Sequence, residues 1–223
     1  MIEALAKMIE HTLLAPIATR AMIERHCAEA RTHDMFAVCV NPQWVGRCVD
    51  ILAQTGVKVV TVVGFPLGAS ATVAKAFECE YAVRQGADEV DMVVQLGPLK
   101  AGDRFTVCED IRAVVKAAAG RPVKVILETA LLSDAEKRLC CALAEEAGAK
   151  FVKTSTGFGP GGATIEDVRL LSEATGGRLG VKASGGIRDV GFARELVAAG
   201  ATRLGTSQGV ALLSGAATPP KAL

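Results

Sequence analysis

Eight short runs rich in β-branched residues recur along the chain, each followed by a longer stretch of helical period. No other feature constrains the fold as strongly. The runs are HTLLA (11–15), FAVCV (36–40), VKVVTVV (57–63), EVDMVV (89–94), VKVILE (123–128), KFVKTS (150–155), LGVKAS (179–184) and TRLGTS (202–207). Their centres lie about 22 to about 35 residues apart, room for one strand, one helix and two loops. Eight such units in 223 residues are what a closed parallel α/β barrel requires, so we expect one barrel domain over 1–223. HTLLA is the least strand-like run, being short and scarcely β-branched.

The helical stretches carry start and stop signals. Ser133-Asp134-Ala135-Glu136 and Thr164-Ile165-Glu166-Asp167 read as capping boxes, the second with Asp in place of Glu. Asn41-Pro42 reads as a cap and a first-turn proline. Gly56, Gly86, Gly120, Gly148, Gly177 and Gly200 each follow a helical stretch, where a left-handed residue ends it. No linker or charge run divides the chain, and the tail SGAATPPKAL (214–223) reads as frayed.

Composition removes several function classes. Lys plus Arg number 25 against 24 Asp plus Glu, a net charge of +1, and aromatics are 4%. Neither a basic surface nor base-stacking platforms are available, so nucleic acid is not an expected partner. The longest charge-free stretch, between Lys58 and Lys75, is broken by Gly64, Pro66 and Gly68, and no membrane span is expected. The segment MIEALAKMIEHTLLAP carries Glu3, Lys7 and Glu10, unlike a secretory signal. Seven cysteines, none in C-x-x-C spacing, and three histidines confined to residues 11–33 give no zinc pattern. They read as reduced, buried thiols of a cytoplasmic protein.

Charges inside the strands carry the chemistry. Strands covered on both faces by helices read as apolar runs, yet Asp91 interrupts VDMVV, Lys153 ends FVK, and Lys182 interrupts GVKA. GADEVD, GAKFVK, GRLGVK and GATRLG each begin at a helix-ending glycine. Five residues later stand Asp91, Lys153, Lys182 and Gly205. Equal offsets from equivalent turns imply equal depth and one common face. Two lysines about 5.5 Å apart at an effective dielectric of ~20 repel by ~3 kcal/mol, enough to lower one amine's pKa by ~2 units. A neutral amine near a barrel's carboxyl end is suited to Schiff-base chemistry on a carbonyl, with Asp91 moving protons. Glu128, at the end of VKVILE, either serves similarly or holds a lysine. On spacing alone, Lys153 and Lys182 are equal candidates for the nucleophile.

Glycine-rich loops follow the last strands: Ser184-Gly185-Gly186-Ile187-Arg188-Asp189 and Gly205-Thr206-Ser207-Gln208-Gly209-Val210. Such loops bring backbone N–H groups to a phosphate. Thr154–Gly162 is a third, directly after Lys153, placed to wrap a substrate. Cys39 shares the late-strand position but reads first as a packed thiol. His11 lacks a Ser or Cys partner and reads as structural. For Gly64-Phe65-Pro66-Leu67-Gly68 only turn chemistry can be offered.

Together, HTLLAP, VCVNP, VVGFPLG, EVDMVV, FVKTSTGFGPGGAT, VKASGGIRD and GTSQGV occur in the order seen in deoxyribose-phosphate aldolases, from about residue 9 to about residue 213. The chain resembles that family of class I aldolases. The resemblance implies a TIM barrel, no cofactor and no metal. It also implies a role in carbohydrate degradation and a homodimer or homotetramer. The implied reaction is reversible cleavage of 2-deoxy-D-ribose 5-phosphate to D-glyceraldehyde 3-phosphate and acetaldehyde. It assigns the Schiff base to Lys153, the perturbing second amine to Lys182 and the proton relay to Asp91. Gly157, Gly185, Gly186 and Ser207 match phosphate-loop positions, and Thr156 and Cys39 line the pocket. Glu10 stands where the family usually has Asp and is left outside the expected site. Gln208 replaces a common small residue, Phe158 follows Gly157 where some members carry Lys, and the only tyrosine is Tyr81, so no aromatic tail closes the site. The rival readings are another Schiff-base aldolase acting on a longer sugar phosphate, a phosphate-binding isomerase, and a catalytically silent barrel.

Overall fold

A computed structural model describes residues 2–215; the tail expected to fray falls, beyond residue 215, outside the described residues. Eight strands, β1 (Ile9–Leu13), β2 (Ala37–Val40), β3 (Lys58–Val63), β4 (Glu89–Val93), β5 (Val123–Ile126), β6 (Phe151–Lys153), β7 (Gly180–Ser184) and β8 (Arg203–Thr206), close into one ring in chain order. Every pairing is parallel, including β8 to β1. This is the TIM barrel, a single domain. Around it lie α1 (Ile2–Ala6), α2 (Arg20–Thr32), α3 (Val45–Leu52), α4 (Thr72–Arg84), α5 (Leu96–Lys100), α6 (Arg104–Ala117), α7 (Asp134–Glu146), α8 (Ile165–Thr175), α9 (Val190–Ala198) and α10 (Gly209–Ser214). No helix among the described residues is long and apolar enough to cross a membrane.

All eight expected strands are present, with shifts of one or two residues at most ends. The largest shift is in β1, which begins at Ile9 and takes in Glu10. Ser133 and Glu136 form the reciprocal capping box. At α8 the Thr164 hydroxyl accepts from the Asp167 N–H at 3.0 Å, while the shorter Asp167 side chain meets Lys137 at 2.7 Å. Asn41 does not cap with its side chain; its amide donates to the Leu14 carbonyl at 3.1 Å, and Pro42 opens a 3-10 turn ahead of α3.

Alternation sorts the strand residues into two cores. Outward residues such as Val38, Val59, Val90, Val125, Val152 and Val181 pack with the helices in one large cluster. Inward residues Ala37, Cys39, Val60 and Val62 form a smaller apolar cluster with Leu14. On the other strands charged inward residues share the lumen with apolar ones such as Ile126 and Phe151. The seven cysteines are buried free thiols.

The Gly64–Gly68 segment has a reason beyond turn chemistry. Gly68 has φ +68°, and a Cβ there would lie 2.1 Å from the Val94 carbonyl oxygen. A Cβ at Gly64 would lie 2.8 Å from the Lys75 side chain. Lys75 is buried beneath, donating to Asp110 at 2.7 Å and to the Val93 carbonyl at 2.9 Å. The loop therefore lies directly on a buried ion pair and on the end of β4.

His11 points outward and stacks on His26 of α2, with ring centroids 4.0 Å apart. It meets Glu29 at 2.9 Å, consistent with its structural reading. Burial pushes the His11 pKa down to about 4 and that of His26 down to about 3, so both rings are neutral in the fold at pH 7. The unfolded chain takes up these protons near pH 6.5, before the folded one does, so stability falls as pH falls. We expect stability at pH 5 to be roughly 4 kcal/mol below that at pH 7. About half of that difference should disappear in His26→Gln. Urea unfolding at the two pH values measures it, and equal midpoints would contradict the assignment.

Candidate active site

The charged inward positions meet at the centre of the barrel. Asp91 Oδ2 lies 2.8 Å from Lys153 Nζ and 2.6 Å from Lys182 Nζ. Its other oxygen, Oδ1, accepts from Lys124 at 2.9 Å. Lys182 also bonds Glu10, and Lys124 reaches Glu10 at 3.3 Å and Glu89 at 2.6 Å. Arg203 closes the network lower in the barrel, 3.3 Å from Glu10 and 3.4 Å from Glu89, with its guanidinium 3.5 Å from the centroid of the Phe36 ring. Asp91, Glu10, Lys124 and Lys182 are fully buried and Lys153 nearly so.

Register explains the convergence. Lys153 pairs with Lys182 across β6 and β7, and Asp91 pairs with Lys124 across β4 and β5. Lys153 stands opposite Ile126, two residues above Lys124. Lys124 therefore supports Asp91 from below while Lys153 meets it from above. The expected common face of Asp91, Lys153 and Lys182 is what the barrel presents. Gly205, the fourth residue of that set, leaves room for Lys182: a Cβ there would lie 3.0 Å from its Cε.

The electrostatics correct the expectation of two mutually repelling amines. Burial alone would lower the Lys182 pKa, but Asp91 and Glu10 outweigh burial and hold it above the ordinary lysine value. Burial likewise opposes ionisation of Asp91, and Lys124, Lys153 and Lys182 reverse that, keeping its carboxyl well below the usual range. Glu10 is lowered by Lys124 and Lys182 against the same burial cost. A carboxylate lies between the amines, so Lys182 is an ammonium and Asp91 a carboxylate at neutral pH. Cys39 lies in the apolar part of the lumen, its thiol pushed up to about 11 by burial, and behaves as a packed thiol.

The three glycine loops come together at the carboxyl ends of β6, β7 and β8. The Ala163 N–H donates to the Gly185 carbonyl at 3.0 Å, and Thr206 Oγ1 donates to the Ile187 carbonyl at 2.8 Å. Gly157, Gly185 and Gly186 have φ of +82°, +89° and +80°. Nothing lies within 4 Å of a Cβ built on Gly157 or Gly186. Glycine at these two positions answers to backbone conformation beside open space, not to crowding. Ser207 is exposed on the same side. Thr156 is buried, its N–H 3.3 Å from Glu128 Oε2 and its hydroxyl bonded to the same oxygen. Glu128 therefore holds Thr156, and neither lysine, contrary to the lysine-anchoring reading.

Sequence reasoning missed Glu10, Lys124, Glu89 and Arg203. Each is a charge at an inward strand position, two residues from another inward residue in Glu89, Lys124 and Arg203, and an alternation count would have flagged those three. Glu10 lay outside the expected strand.

A family model described as DeoC/LacD family aldolase matches residues 6–217. The chain is 55% identical over 212 residues to the deoxyribose-phosphate aldolase of Brevibacillus brevis, covering 95% of this chain and 96% of that one. It is 54% identical over 211 residues to that of Bdellovibrio bacteriovorus, with the same coverage of each. Among solved structures, the tetrameric deoxyribose phosphate aldolase of Aeropyrum pernix superposes with a TM-score of 0.90 at 34% identity, covering 96% of this chain and 91% of that one.

Lys124→Met leaves Asp91, Glu10 and Glu89 short of one cation in a dry interior. We expect a loss of ~3–5 kcal/mol at pH 8. The loss should shrink towards pH 5, because uncompensated carboxyls have raised pKa values and take up protons. Urea midpoints across that range test it, and a loss independent of pH would contradict the network.

Proposed function

Because the chain belongs to the DeoC/LacD family of aldolases, we propose that it is a deoxyribose-phosphate aldolase working through a lysine Schiff base. Its substrate is 2-deoxy-D-ribose 5-phosphate and its products are D-glyceraldehyde 3-phosphate and acetaldehyde. One observation carries this reading: a single oxygen of Asp91 is shared by the amines of Lys153 and Lys182. Among the described residues Lys153 has one carboxylate partner, Lys182 two and Lys124 three. Lys153 is the amine least tied up by carboxylates, and we assign it as the nucleophile.

Neutral Lys153 adds to the C1 aldehyde of the open-chain sugar, giving a carbinolamine. Lys182 donates its proton to the carbinolamine hydroxyl, which leaves as water, and an iminium forms on Lys153. One positive charge has moved from Lys182 to Lys153 while remaining against the same Asp91 oxygen. A preorganised carboxylate that serves both charge positions needs little rearrangement. The iminium withdraws electrons from the bond between its α and β carbons, so C2–C3 is the bond that breaks. Lys182, now neutral, takes the C3-hydroxyl proton as D-glyceraldehyde 3-phosphate leaves. The same proton then returns to C2 of the enamine, and water releases acetaldehyde. Asp91, held far below neutral pH, anchors and polarises this transfer more readily than it stores the proton.

The loops carrying Gly157, Gly185, Gly186 and Ser207 supply backbone donors for the phosphate and fix its distance from Lys153. Thr156 and Cys39 line the path between. The reaction needs no metal: the nearby acceptor set of Glu10, Asp91 and Cys39 is already engaged by ammonium groups or protonated. We assign the enzyme to the cytoplasm on its buried free thiols. A homodimer or homotetramer is supported by the Aeropyrum pernix tetramer and by Val73, Phe77 and Tyr81, exposed along one face of α4.

Borohydride reduction in the presence of acetaldehyde should add an ethyl group, mapped by peptide to Lys153. Lys153→Leu should abolish turnover, and Lys182→Leu should reduce it by ~10³-fold or more. An adduct with dihydroxyacetone phosphate but none with acetaldehyde would favour a different aldolase. Normal turnover by Lys153→Leu would end the assignment.

A further inference from the structure

Glu128 is a buried carboxyl at the mouth of the barrel that the mechanism leaves without work. It follows β5 on a left-handed backbone, φ 57° and ψ 63°, and is 3% exposed. The carboxylates that Lys153 and Lys182 meet are Asp91 and Glu10, not Glu128. Its partners lie instead in the loop after β6. The Thr156 N–H lies 3.3 Å from Oε2 and 3.4 Å from Oε1, and the Thr156 hydroxyl donates to Oε2. The Phe158 N–H in turn donates to Thr156 Oγ1 at 3.1 Å. Because that oxygen accepts from Phe158, its own proton is directed to Glu128. All three hydrogens in the chain point one way, towards an acceptor at residue 128.

The loop also has no clearance above the carboxyl. A Cβ on Gly159 would lie 2.7 Å from Glu128 Cδ. Beyond it, the Phe158 ring meets Phe65 edge to face, with centroids 5.3 Å apart and planes at 86°. Phe65 belongs to the loop after β3, and β4 and β5 lie between β3 and β6 in the ring. Glu128 thus anchors a loop that begins at Lys153, passes Thr156 and Gly157, and ends in a contact with the far side of the barrel mouth.

We propose that Glu128 is a positioning residue that clamps the Thr156–Phe158 loop and so sets the spacing between the Lys153 amine and the phosphate end of the substrate. This rests on the aldolase reading above for its substrate, but the clamp itself is measurable without turnover. In Glu128→Gln, one oxygen becomes an NH2 group facing the loop's donors. Amide hydrogen exchange in the peptide 154–163 should rise ~10-fold or more, with 180–184 unchanged. KM for deoxyribose phosphate should rise ~10-fold while kcat changes less than ~3-fold, and KM for unphosphorylated 2-deoxyribose should stay nearly constant. Acetaldehyde trapping on Lys153 should persist. Thr156→Val should raise exchange in 154–163 to a similar extent, and the double variant should exchange no faster than either single one, since both cut one chain of bonds. Should Glu128→Gln fold poorly, Thr156→Val alone carries the exchange measurement, and Glu128→Asp carries the KM measurements.

Unchanged exchange in 154–163 would overturn the clamp. Faster exchange with unchanged KM and unchanged phosphate preference would overturn its role in positioning. A fall confined to kcat with a displaced pH profile would make Glu128 a proton-transfer group instead. Absence of any acetaldehyde adduct on the wild-type protein would instead count against the aldolase reading, leaving exchange to decide the clamp.

Discussion

A carboxylate oxygen within hydrogen-bond reach of two amines is the interaction on which the rest of the site depends. Asp91 Oδ2 holds Lys153 and Lys182 at 2.8 and 2.6 Å. Among the described residues, four cations (Lys124, Lys153, Lys182 and Arg203) face three carboxylates (Glu10, Glu89 and Asp91). With every group ionised the cluster carries one excess positive charge, and a buried net charge is costly. Removing one proton balances it. Lys153 has the fewest carboxylate partners of the three lysines, and this asymmetry of contacts separates two lysines that look alike in sequence. In the mechanism proposed above, the charge gained by an iminium on Lys153 is matched by the proton that leaves Lys182, so the balance would hold throughout.

Such a network has to be supported by its surroundings. The lumen is divided: Ala37, Cys39, Val60 and Val62 fill the β2–β3 side with apolar groups, and the charges gather on the strands opposite and beside them. Lys124 is a tether that touches all three carboxylates. Arg203 stacks on Phe36, where a weakly hydrated, planar cation loses less on burial than an ammonium would. The lower network fixes Glu10 and Asp91, and these in turn keep Lys182 charged. The asymmetry between Lys153 and Lys182 in the upper layer is therefore set in part by residues lower in the barrel.

Much of this was legible without coordinates, for reasons that can be named. The strand–helix alternation encodes the barrel because parallel strands buried on both faces must be short, apolar and regularly spaced. Asp91, Lys153 and Lys182 were identifiable because each violates that apolar rule at the same offset from a helix-ending glycine. Lys124 escaped because the offset argument reads one depth only and it lies in the layer below; alternation along β5 was the signal that held it, and strand stagger is what brings it under Asp91. Glu10 escaped because a carboxylate at the edge of a weak strand reads as solvated; only its contacts with Lys182 and Lys124 show it to be interior. The direction of the Lys182 shift escaped for the same reason. Two amines in isolation repel, and the sign reverses once two carboxylates are known to stand beside one of them.

The site makes opposing demands that the fold assigns to different parts of the chain. Moving a charge between two amines favours a dry, tightly bonded interior, and strand residues provide it because their positions are fixed by hydrogen bonds on both sides. Admitting a phosphorylated sugar favours exposed donors with open space, which Gly157 and Gly186 offer on the loops above. A loop free enough to admit a ligand is also free enough to misplace it by an ångström, and misplacement of that size is expensive in rate. The contacts between loops answer this: Gly185 with Ala163, Ile187 with Thr206, and Glu128 with Thr156 join neighbouring loops through buried or backbone groups. Gly157 and Gly186 leave open space for a ligand, while Thr156, Ala163 and Thr206 beside them are bonded across to neighbouring segments.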